Sequence, residues 1–274
     1  MPELPEVESA RQVVERSGLG RRIVRVEDVD HYVCRPHRAA ELGRALHGRT
    51  LTATHRRGKL MWCETSGADG SGSPGPVLSI HLGMSGRVVV DAPGQDADEG
   101  GDRLPGRPES EPHRDGWSRF ALAFADGGRL RLLDPRRLGR VRLDPDLDAL
   151  GPDAGEIGRS EFRARVGRST TSVKARLLDQ HALAGIGNLL ADEALWQSRL
   201  DPRRPAGDLA EGELDELRRR LRQAIRHAVR HGGVGAGEVV EHRRPGGRCP
   251  RCGAPMQRAT VGGRTTWWCS REQV

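Results

Sequence analysis

The first residues of the chain carry groups suited to nucleophilic and acid–base chemistry. The sequence begins Met1-Pro2-Glu3, and removal of a methionine that precedes a small residue would leave Pro2 with a free secondary amine. An α-amine titrates at about pH 8, so a useful fraction is neutral and nucleophilic at neutral pH. A neighbouring carboxyl group such as that of Glu3 can supply the general acid of a glycosyl-transfer step. The alternative interpretation is that Pro-Glu-Leu-Pro-Glu only begins a helix.

Lysine is rare in this sequence. Of 45 lysine and arginine residues only two are lysines, Lys59 and Lys174. A coding bias towards arginine explains most of the skew, but such a bias replaces lysine wherever arginine serves. The two lysines are therefore candidates for tasks that need a compact or titratable amine. Lys59 follows the turn-forming Arg56-Arg57-Gly58, which would direct its ammonium into a cleft; an exposed basic turn is the alternative.

Two glycine-bounded segments carry side chains that could occupy space inside a nucleic acid. In His81–Gly86 (HLGMSG), two glycines flank Met84, and apolar wedges inserted between base steps are a known way to kink DNA. In Asp134–Gly139 (DPRRLG), Arg136 projects from an Asp-Pro turn and could fill the space left by an extruded base or hold a phosphate. The alternatives are a core methionine and a solvated turn.

A third glycine turn, Gly185-Ile186-Gly187, precedes a predicted helix that begins with Asn188. The N-terminus of a helix offers free backbone N–H groups to a phosphate, and Asn188 adds a side-chain donor. Lys174 lies on the preceding predicted helix. The alternative is a helical hairpin without ligand.

The C-terminal segment has the spacing of a metal site. The chain has five cysteines, an odd number that argues against a disulfide framework. Three of them lie close to the C-terminus: Cys249, Cys252 and Cys269. A CxxC knuckle with a third thiolate favours zinc, and either Glu272 or His242 would supply the fourth ligand. A metal-free hairpin held by its two adjacent tryptophans is the alternative.

The charge of the chain favours a polyanionic partner. The net charge is +7, and residues 243–274 hold seven arginines against a single acid. Nucleic acid is the usual partner of such a surface. The sequence has no run of eighteen apolar residues, which excludes a membrane span. Its acidic N-terminus has no apolar segment, which predicts a cytoplasmic protein.

The periodicity of the sequence predicts an α+β protein. An apolar stripe predicts a helix over residues 5–16. Short β-like runs separated by turns then predict an antiparallel sandwich or barrel: 22–26, 51–55, 59–63, 77–82, 86–90, 119–125, 129–133 and 141–143. Residues 64–76 and 91–116 have the composition of flexible loops. The helical pattern starts at about residue 150, with helices at 172–179, 187–197 and 209–231.

Taken together, these motifs resemble the formamidopyrimidine-DNA glycosylase / endonuclease VIII family. They follow in order along nearly the whole chain: MPELPEVE, RRGK, HLGMSG, DPRR-x-G, K-x2-LLDQ-x4-GIGN and the cysteine hairpin with Gly263-Arg264-Thr265. The resemblance implies an N-terminal antiparallel β-sandwich (1–145), a helix–two-turns–helix domain (150–235) and a zinc-finger-like β-hairpin (243–274), with DNA between the two halves.

The resemblance also implies a mechanism and the residues that carry it out. Pro2 would attack C1′ of a damaged nucleoside while Glu3 acts as the acid, and the base would leave as an imine forms. β-Elimination and δ-elimination would then cut the strand, with Lys59 as proton donor in the first step and Arg264 in the second. The activity implied is that of a bifunctional DNA glycosylase and abasic-site lyase. It would act on oxidised or ring-opened bases in double-stranded DNA, as a monomer.

Further DNA contacts follow from the same resemblance. Met84 and Arg136 would fill the gap left by the flipped nucleotide, and phosphates would be held by Lys174, Asn188 and Arg264, with His113 as an additional contact. Zinc would be the structural cofactor, bound by Cys249, Cys252, Cys269 and Glu272.

Three features depart from the pattern of the family. Leu138 stands where an aromatic wedge is usual, the stretch between Gly233 and Cys249 is short for the purine-specific branch, and Glu272 replaces a cysteine. Two other functions remain open from the residues alone. One is a non-catalytic module that binds or senses damaged DNA, and the other is an RNA-binding helical module beside an unrelated β domain.

Overall fold

The computed structural model describes residues 2–67, 73–102 and 115–274. Two compact units make up the chain. The first comprises Pro2 and Glu6–Leu147, and the second comprises Glu3–Pro5 and Asp148–Val274. None of the helices in the described ranges is long and apolar enough to cross a membrane.

Strands and helices are segregated along the chain as the sequence predicts, with mainly strands first and mainly helices after them. The helices are α1 (Leu4–Ser17), α2 (His31–Cys34), α3 (Glu41–Leu46), α4 (Arg159–Val166), α5 (Val173–Leu178), α6 (Asn188–Gln197) and α7 (Glu211–Arg230). The strands are β1 (Ile23–Glu27), β2 (Leu51–Arg57), β3 (Leu60–Thr65), β4 (Leu78–His81), β5 (Arg87–Asp91), β6 (Asp98–Gly101), β7 (Ser118–Phe124), β8 (Arg129–Leu133), β9 (Arg140–Leu143), β10 (Met256–Val261) and β11 (Arg264–Cys269).

The first unit is a β-sandwich, as the sequence predicts. One sheet has the strand order β1-β7-β8-β5-β6 and the other β2-β3-β4-β9, and the paired strands are antiparallel. Alternating residues of both sheets bury their apolar side chains in one core, which the apolar stripe of α1 also joins. Val7, Ala10 and Val13 of that stripe are fully buried, because residues three apart lie on one face of a helix.

The sequence interpretation was wrong about part of the stretch 91–116, which it assigned to a flexible loop. Residues Asp98–Gly101 form β6 and pair with β5 in the register Arg87↔Gly101 to Val90↔Asp98. The sequence Asp-Glu-Gly-Gly has low β-propensity, so pairing with a neighbouring strand decides its conformation. A side chain at Gly100 would lie 2.5 Å from the Ser9 carbonyl oxygen, so only glycine permits this close approach to α1.

The second unit is helical and ends in a β-hairpin. Its largest core lies between α4, α5, α6 and α7, and the buried face of α7 contributes Leu214, Leu217 and Leu221. Strands β10 and β11 form the two-stranded hairpin, with Gly262 and Gly263 in its turn. A smaller core under this hairpin contains Trp196, Val239 and Trp267. The unit therefore has the helical and hairpin parts that the sequence predicts.

Candidate functional site

Glu3 occupies the N-terminus of helix α6. Its carboxylate is 1% exposed and accepts three backbone hydrogen bonds, from Gly187 N (2.8 Å), Leu189 N (2.8 Å) and Leu190 N (3.1 Å). These donors are among the groups that a helix leaves unpaired at its N-terminus, where the helix dipole is positive. A side chain at Gly187 would lie 2.3 Å from the Glu3 carboxyl carbon. The prediction that these N–H groups are offered to a phosphate is therefore wrong, because the carboxylate of Glu3 occupies them.

Lys59 lies at the tip of a tight hairpin in the first unit. Strands β2 and β3 pair up to Arg57↔Leu60, so Gly58 and Lys59 alone form the turn, and Gly58 has the positive φ of 59° that such turns need. Arg56 ties this hairpin to α1 by donating from Nε to a carboxylate oxygen of Glu8 at 3.0 Å. Burial by itself would raise the pKa of Glu8, but bonds from Arg11 and Arg56 hold it below its usual value.

His81 faces the same turn from strand β4, where it pairs with Leu60. Its Nδ1 accepts a hydrogen bond from Gly83 N at 3.0 Å, which requires a neutral ring with the proton on Nε2. Burial lowers the pKa of His81 to about 4, and the charges of Lys59, Arg140 and Arg142 lower it further in the same direction. His81 is therefore neutral at physiological pH and orders the start of the glycine loop.

The loops that carry Met84 and Arg136 are joined through one buried carboxylate. Asp134 is 0% exposed and accepts hydrogen bonds from Ser85 Oγ (3.0 Å), Arg136 N (3.1 Å) and Gly139 N (2.6 Å). Both Met84 and Arg136 are exposed at the surface. Asp134 thus joins the two loops that carry Met84 and Arg136, the residues that the resemblance implies as fillers of the space left by a flipped base.

The predicted phosphate contact of Lys174 does not agree with the structure. The side chain is 0% exposed, and its Nζ donates to Asp192 Oδ1 at 2.5 Å and to Thr266 Oγ1 at 2.7 Å. Burial lowers the pKa of Lys174, while the attraction of Asp192 opposes that shift. A buried charge is stable only when it is paired. This lysine therefore serves an internal ion pair.

Asn188 and Arg264 lie near that ion pair. Asn188 begins α6 and donates from Nδ2 to Thr265 O at 3.0 Å, while its Oδ1 is buried without a hydrogen-bond partner. Arg264 begins β11 directly after the hairpin turn and is exposed. The second unit thus gathers Lys174, Asn188 and Arg264 around the start of β11. His113, the remaining predicted DNA contact, lies outside the described residues.

Three cysteines of the hairpin form a cluster that could hold a metal ion. The sulfur atoms of Cys249, Cys252 and Cys269 all lie within 4.8 Å of one another, and Cys252 Sγ is 3.5 Å from Cys269 Sγ. Two thiolates bound at 2.3 Å to a tetrahedral zinc would lie roughly 3.8 Å apart. Burial raises the pKa of Cys269 to about 11, whereas at Cys249 bonds from Trp196 and the backbone outweigh burial and lower the pKa. The donor atoms and their spacing fit zinc.

The prediction of Glu272 as fourth ligand is not supported by the structure. Its carboxylate accepts from Arg251 Nη1 at 2.8 Å, and the clustered donor atoms in the described part of the chain are the three sulfurs. The backbone of Glu272 nevertheless donates to Cys269 Sγ at 3.4 Å, as the N–H groups of a knuckle do. His242, the other residue considered from the sequence, is also absent from that cluster.

Sequence reasoning missed the residues that hold these groups in place. In the sequence Asp134 is visible only as part of an Asp-Pro turn, and Asp192 and Thr266 belong to none of the motifs. In a helix, the sequence signal for a buried acid is a charged residue among apolar neighbours. Helix α6 (NLLADEALWQ) has such a pair in Asp192 and Glu193, which are 1% and 3% exposed.

Comparison with known proteins agrees with this architecture. The model of the formamidopyrimidine-DNA glycosylase N-terminal domain matches residues 1–141, and that of the formamidopyrimidine-DNA glycosylase H2TH domain matches residues 149–239. Fold and site thus define a chain with a β-sandwich, a helix–two-turns–helix unit and a cysteine hairpin. The chain belongs to the formamidopyrimidine-DNA glycosylase family.

Individual relatives cover nearly the whole chain. The formamidopyrimidine-DNA glycosylase of Nocardioides sp. is 33% identical over 299 residues, covering 98% of this chain and 93% of the relative. That of Corynebacterium aurimucosum is 34% identical over 288 residues, covering 98% and 95%. A solved structure of Lactococcus lactis Fpg with DNA that contains an abasic site has a TM-score of 0.79 at 26% identity and covers 99% of both chains. Another structure of that protein, with DNA containing an oxidised pyrimidine, has a TM-score of 0.78 at 26% identity over 99% of both chains.

Proposed function

We propose that this chain is a bifunctional DNA glycosylase and abasic-site lyase that removes oxidised or ring-opened bases from double-stranded DNA. The observation that carries the proposal is the carboxylate of Glu3. It directly follows Pro2 in the chain and is fixed by three N–H donors of the α6 N-terminus. A buried acid next to the first amine of the mature chain can donate a proton to the base that leaves when this amine attacks C1′. The names of the relatives support the glycosylase part of this activity.

The chemistry begins with proton transfer at the N-terminus. We propose that Met1 is removed, so that Pro2 carries a free amine. The Pro2 ammonium loses its proton to water readily, because an α-amine has a pKa of about 8. The neutral amine then forms a bond to C1′ of the damaged nucleoside as the bond from C1′ to the base breaks. The N–H groups around Glu3 favour its carboxylate, so protonated Glu3 readily gives its proton to the departing base. Transfer of the proton of the new C1′–N ammonium to O4′ then opens the sugar and gives an iminium, the cationic imine of Pro2.

Strand cleavage follows from that imine, which acidifies the C2′ proton. Loss of this proton breaks the C3′–O3′ bond, and Lys59 donates a proton to the departing phosphate oxygen. Loss of the C4′ proton then breaks the C5′–O5′ bond in the second elimination. Arg264 assists there by hydrogen bonds to the leaving phosphate, because a guanidinium does not readily give up its proton. The hairpin tip of Lys59 and the exposed start of β11 suit these roles.

Substrate DNA would be held open by side chains from joined loops. Extruding a base costs a few kcal/mol of stacking, and Met84 with Arg136 would fill the vacated space. The fixed distance between their loops, set by Asp134, supports this role. We further propose that zinc on the three thiolates stabilises the hairpin, and that the enzyme acts as a monomer. Zinc would supply rigidity there and take no part in the reaction.

A panel of labelled duplexes tests this function. Wild type should cut duplexes that carry an oxidised purine, an oxidised pyrimidine or an abasic site, and the panel identifies the preferred lesion. Glu3→Gln should lose base removal but still cut a preformed abasic site, because the acid is needed only for the departing base. Binding of abasic DNA without any cleavage would contradict the proposal and favour a non-catalytic module that senses damage.

A further inference from the structure

The hairpin turn and the start of strand β11 are fixed to helices α5 and α6 by four of the six residues from 262 to 267. A side chain at Gly262 would lie 2.9 Å from Ala175 Cα, so the hairpin turn lies directly against α5. Thr265 O accepts from Asn188 Nδ2 at 3.0 Å. Arg264 lies between these two contacts and is exposed.

The deepest of these contacts is a buried charged group. Lys174 Nζ bridges Asp192 Oδ1 at 2.5 Å and Thr266 Oγ1 at 2.7 Å, and all three residues are at most 1% exposed. The second carboxylate oxygen of Asp192 accepts from Arg243 Nε at 2.8 Å and from Trp267 N at 3.3 Å. Thr266 Oγ1 in turn donates to Arg264 O at 3.0 Å. A continuous hydrogen-bonded path therefore leads from the ion pair to the backbone of Arg264.

Such a path is costly as a stabilising element alone. Buried ion pairs are often no better for stability than apolar residues of the same volume, so stability is a weak reason for this one. The pair instead holds its partners in fixed positions, because hydrogen bonds to charged groups restrain both the distance and the direction between them.

We propose that Lys174, Asp192 and Thr266 are positioning residues for Arg264. They hold the first residues of β11 so that the guanidinium meets the phosphate that leaves in the second elimination. This inference rests on the proposed function and assigns a task to buried groups that the mechanism above does not use. It also gives a reason why Lys174 is a lysine in an arginine-rich chain: a compact ammonium fits between a carboxylate and a hydroxyl, whereas a guanidinium is planar and larger.

The test removes the hydroxyl group of Thr266 and measures the ratio of the β-elimination product to the δ-elimination product. Thr266→Val keeps the shape of the side chain and deletes the bonds to Lys174 and to Arg264 O, while Thr266→Ser keeps the hydroxyl. Each protein is mixed in excess with an end-labelled abasic duplex, and a gel separates the β product from the δ product. Thr260→Val is the matched control, since Thr260 is an exposed threonine on the neighbouring strand of the same hairpin.

Thr266→Val should slow δ-elimination about tenfold relative to β-elimination, because small displacements of a catalytic group are costly. Thr266→Ser and Thr260→Val should divide the products as wild type does. Equal slowing of both steps, or wild-type division in Thr266→Val, would overturn the inference. If Thr266→Val does not fold, Thr266→Ala carries the same test, because it also deletes both hydroxyl bonds but places no added methyl group beside the Lys174 ammonium. Absence of any β product from wild type would instead refute the proposed function.

Discussion

The pH dependence of stability should report the environment of His81. Burial and nearby cations lower the pKa of this histidine from 6.5 to about 4. Below pH 6.5 the unfolded chain binds a proton at this position and the folded chain does not, so stability is lost as the pH falls towards 4. Between pH 7.5 and pH 4.5 this single group should remove about 2.5 kcal/mol from the free energy of unfolding.

The assay compares wild type with His81→Asn, whose Oδ1 can accept the hydrogen bond from Gly83 N but does not titrate. Other groups titrate over the same range, so the informative quantity is the difference between the two proteins. Urea unfolding at pH 7.5 and at pH 4.5 gives that difference. The free energy of wild type should fall by about 2.5 kcal/mol more than that of the variant. Equal losses in the two proteins would show that His81 does not stay neutral in the folded protein at pH 4.5.

Three further predictions concern the second unit. Metal analysis of the purified protein should find about one zinc per chain; Cys269→Ser should lose it, and a metal content near zero in active wild type would contradict the zinc proposal. Lys174→Met should lower the free energy of unfolding by about 3 kcal/mol, since it leaves Asp192 without its nearest cation, and an unchanged urea midpoint would show that the pair contributes nothing. Arg264→Ala should slow δ-elimination far more than it weakens DNA binding, and equal loss of both would count against its assigned role.

The elements that the sequence predicted well are those with a clear apolar period. Helix α1 and strand β8 follow directly from their patterns, since burial of one face is a local property of the sequence. Strand β6 was missed because its residues have no strand preference and are held only by pairing with β5. Helix α3 was also missed; its six residues have only Leu42 and Leu46 to bury.

In the candidate site, too, the sequence could identify some residues but not their contacts. Motif order singles out Glu3 and Arg264 as candidates, and the structure adds what surrounds them. The sequence could not show that the glycine turn before α6 receives Glu3 itself, because that contact joins residues 184 or more positions apart. Nor could it show that Lys174 faces inward, since a lysine on a short helix is usually exposed.

The sequence also could not show that Glu272 pairs with Arg251. The spacing Cys269-x-x-Glu272 suggests a fourth ligand, and the backbone does adopt a knuckle there. The carboxylate instead lies against Arg251, which the sequence places inside the first knuckle. Competition between a metal and a nearby guanidinium depends on side-chain direction, which spacing does not determine.

The most direct test of the account is to identify the atom that becomes joined to DNA. Wild-type protein is incubated with an abasic duplex and borohydride, and the trapped complex is digested and mapped by mass spectrometry. A reduced adduct is expected on the α-nitrogen of a peptide that begins at Pro2. An adduct on Lys59 Nζ, or a native N-terminus that still carries Met1, would contradict it.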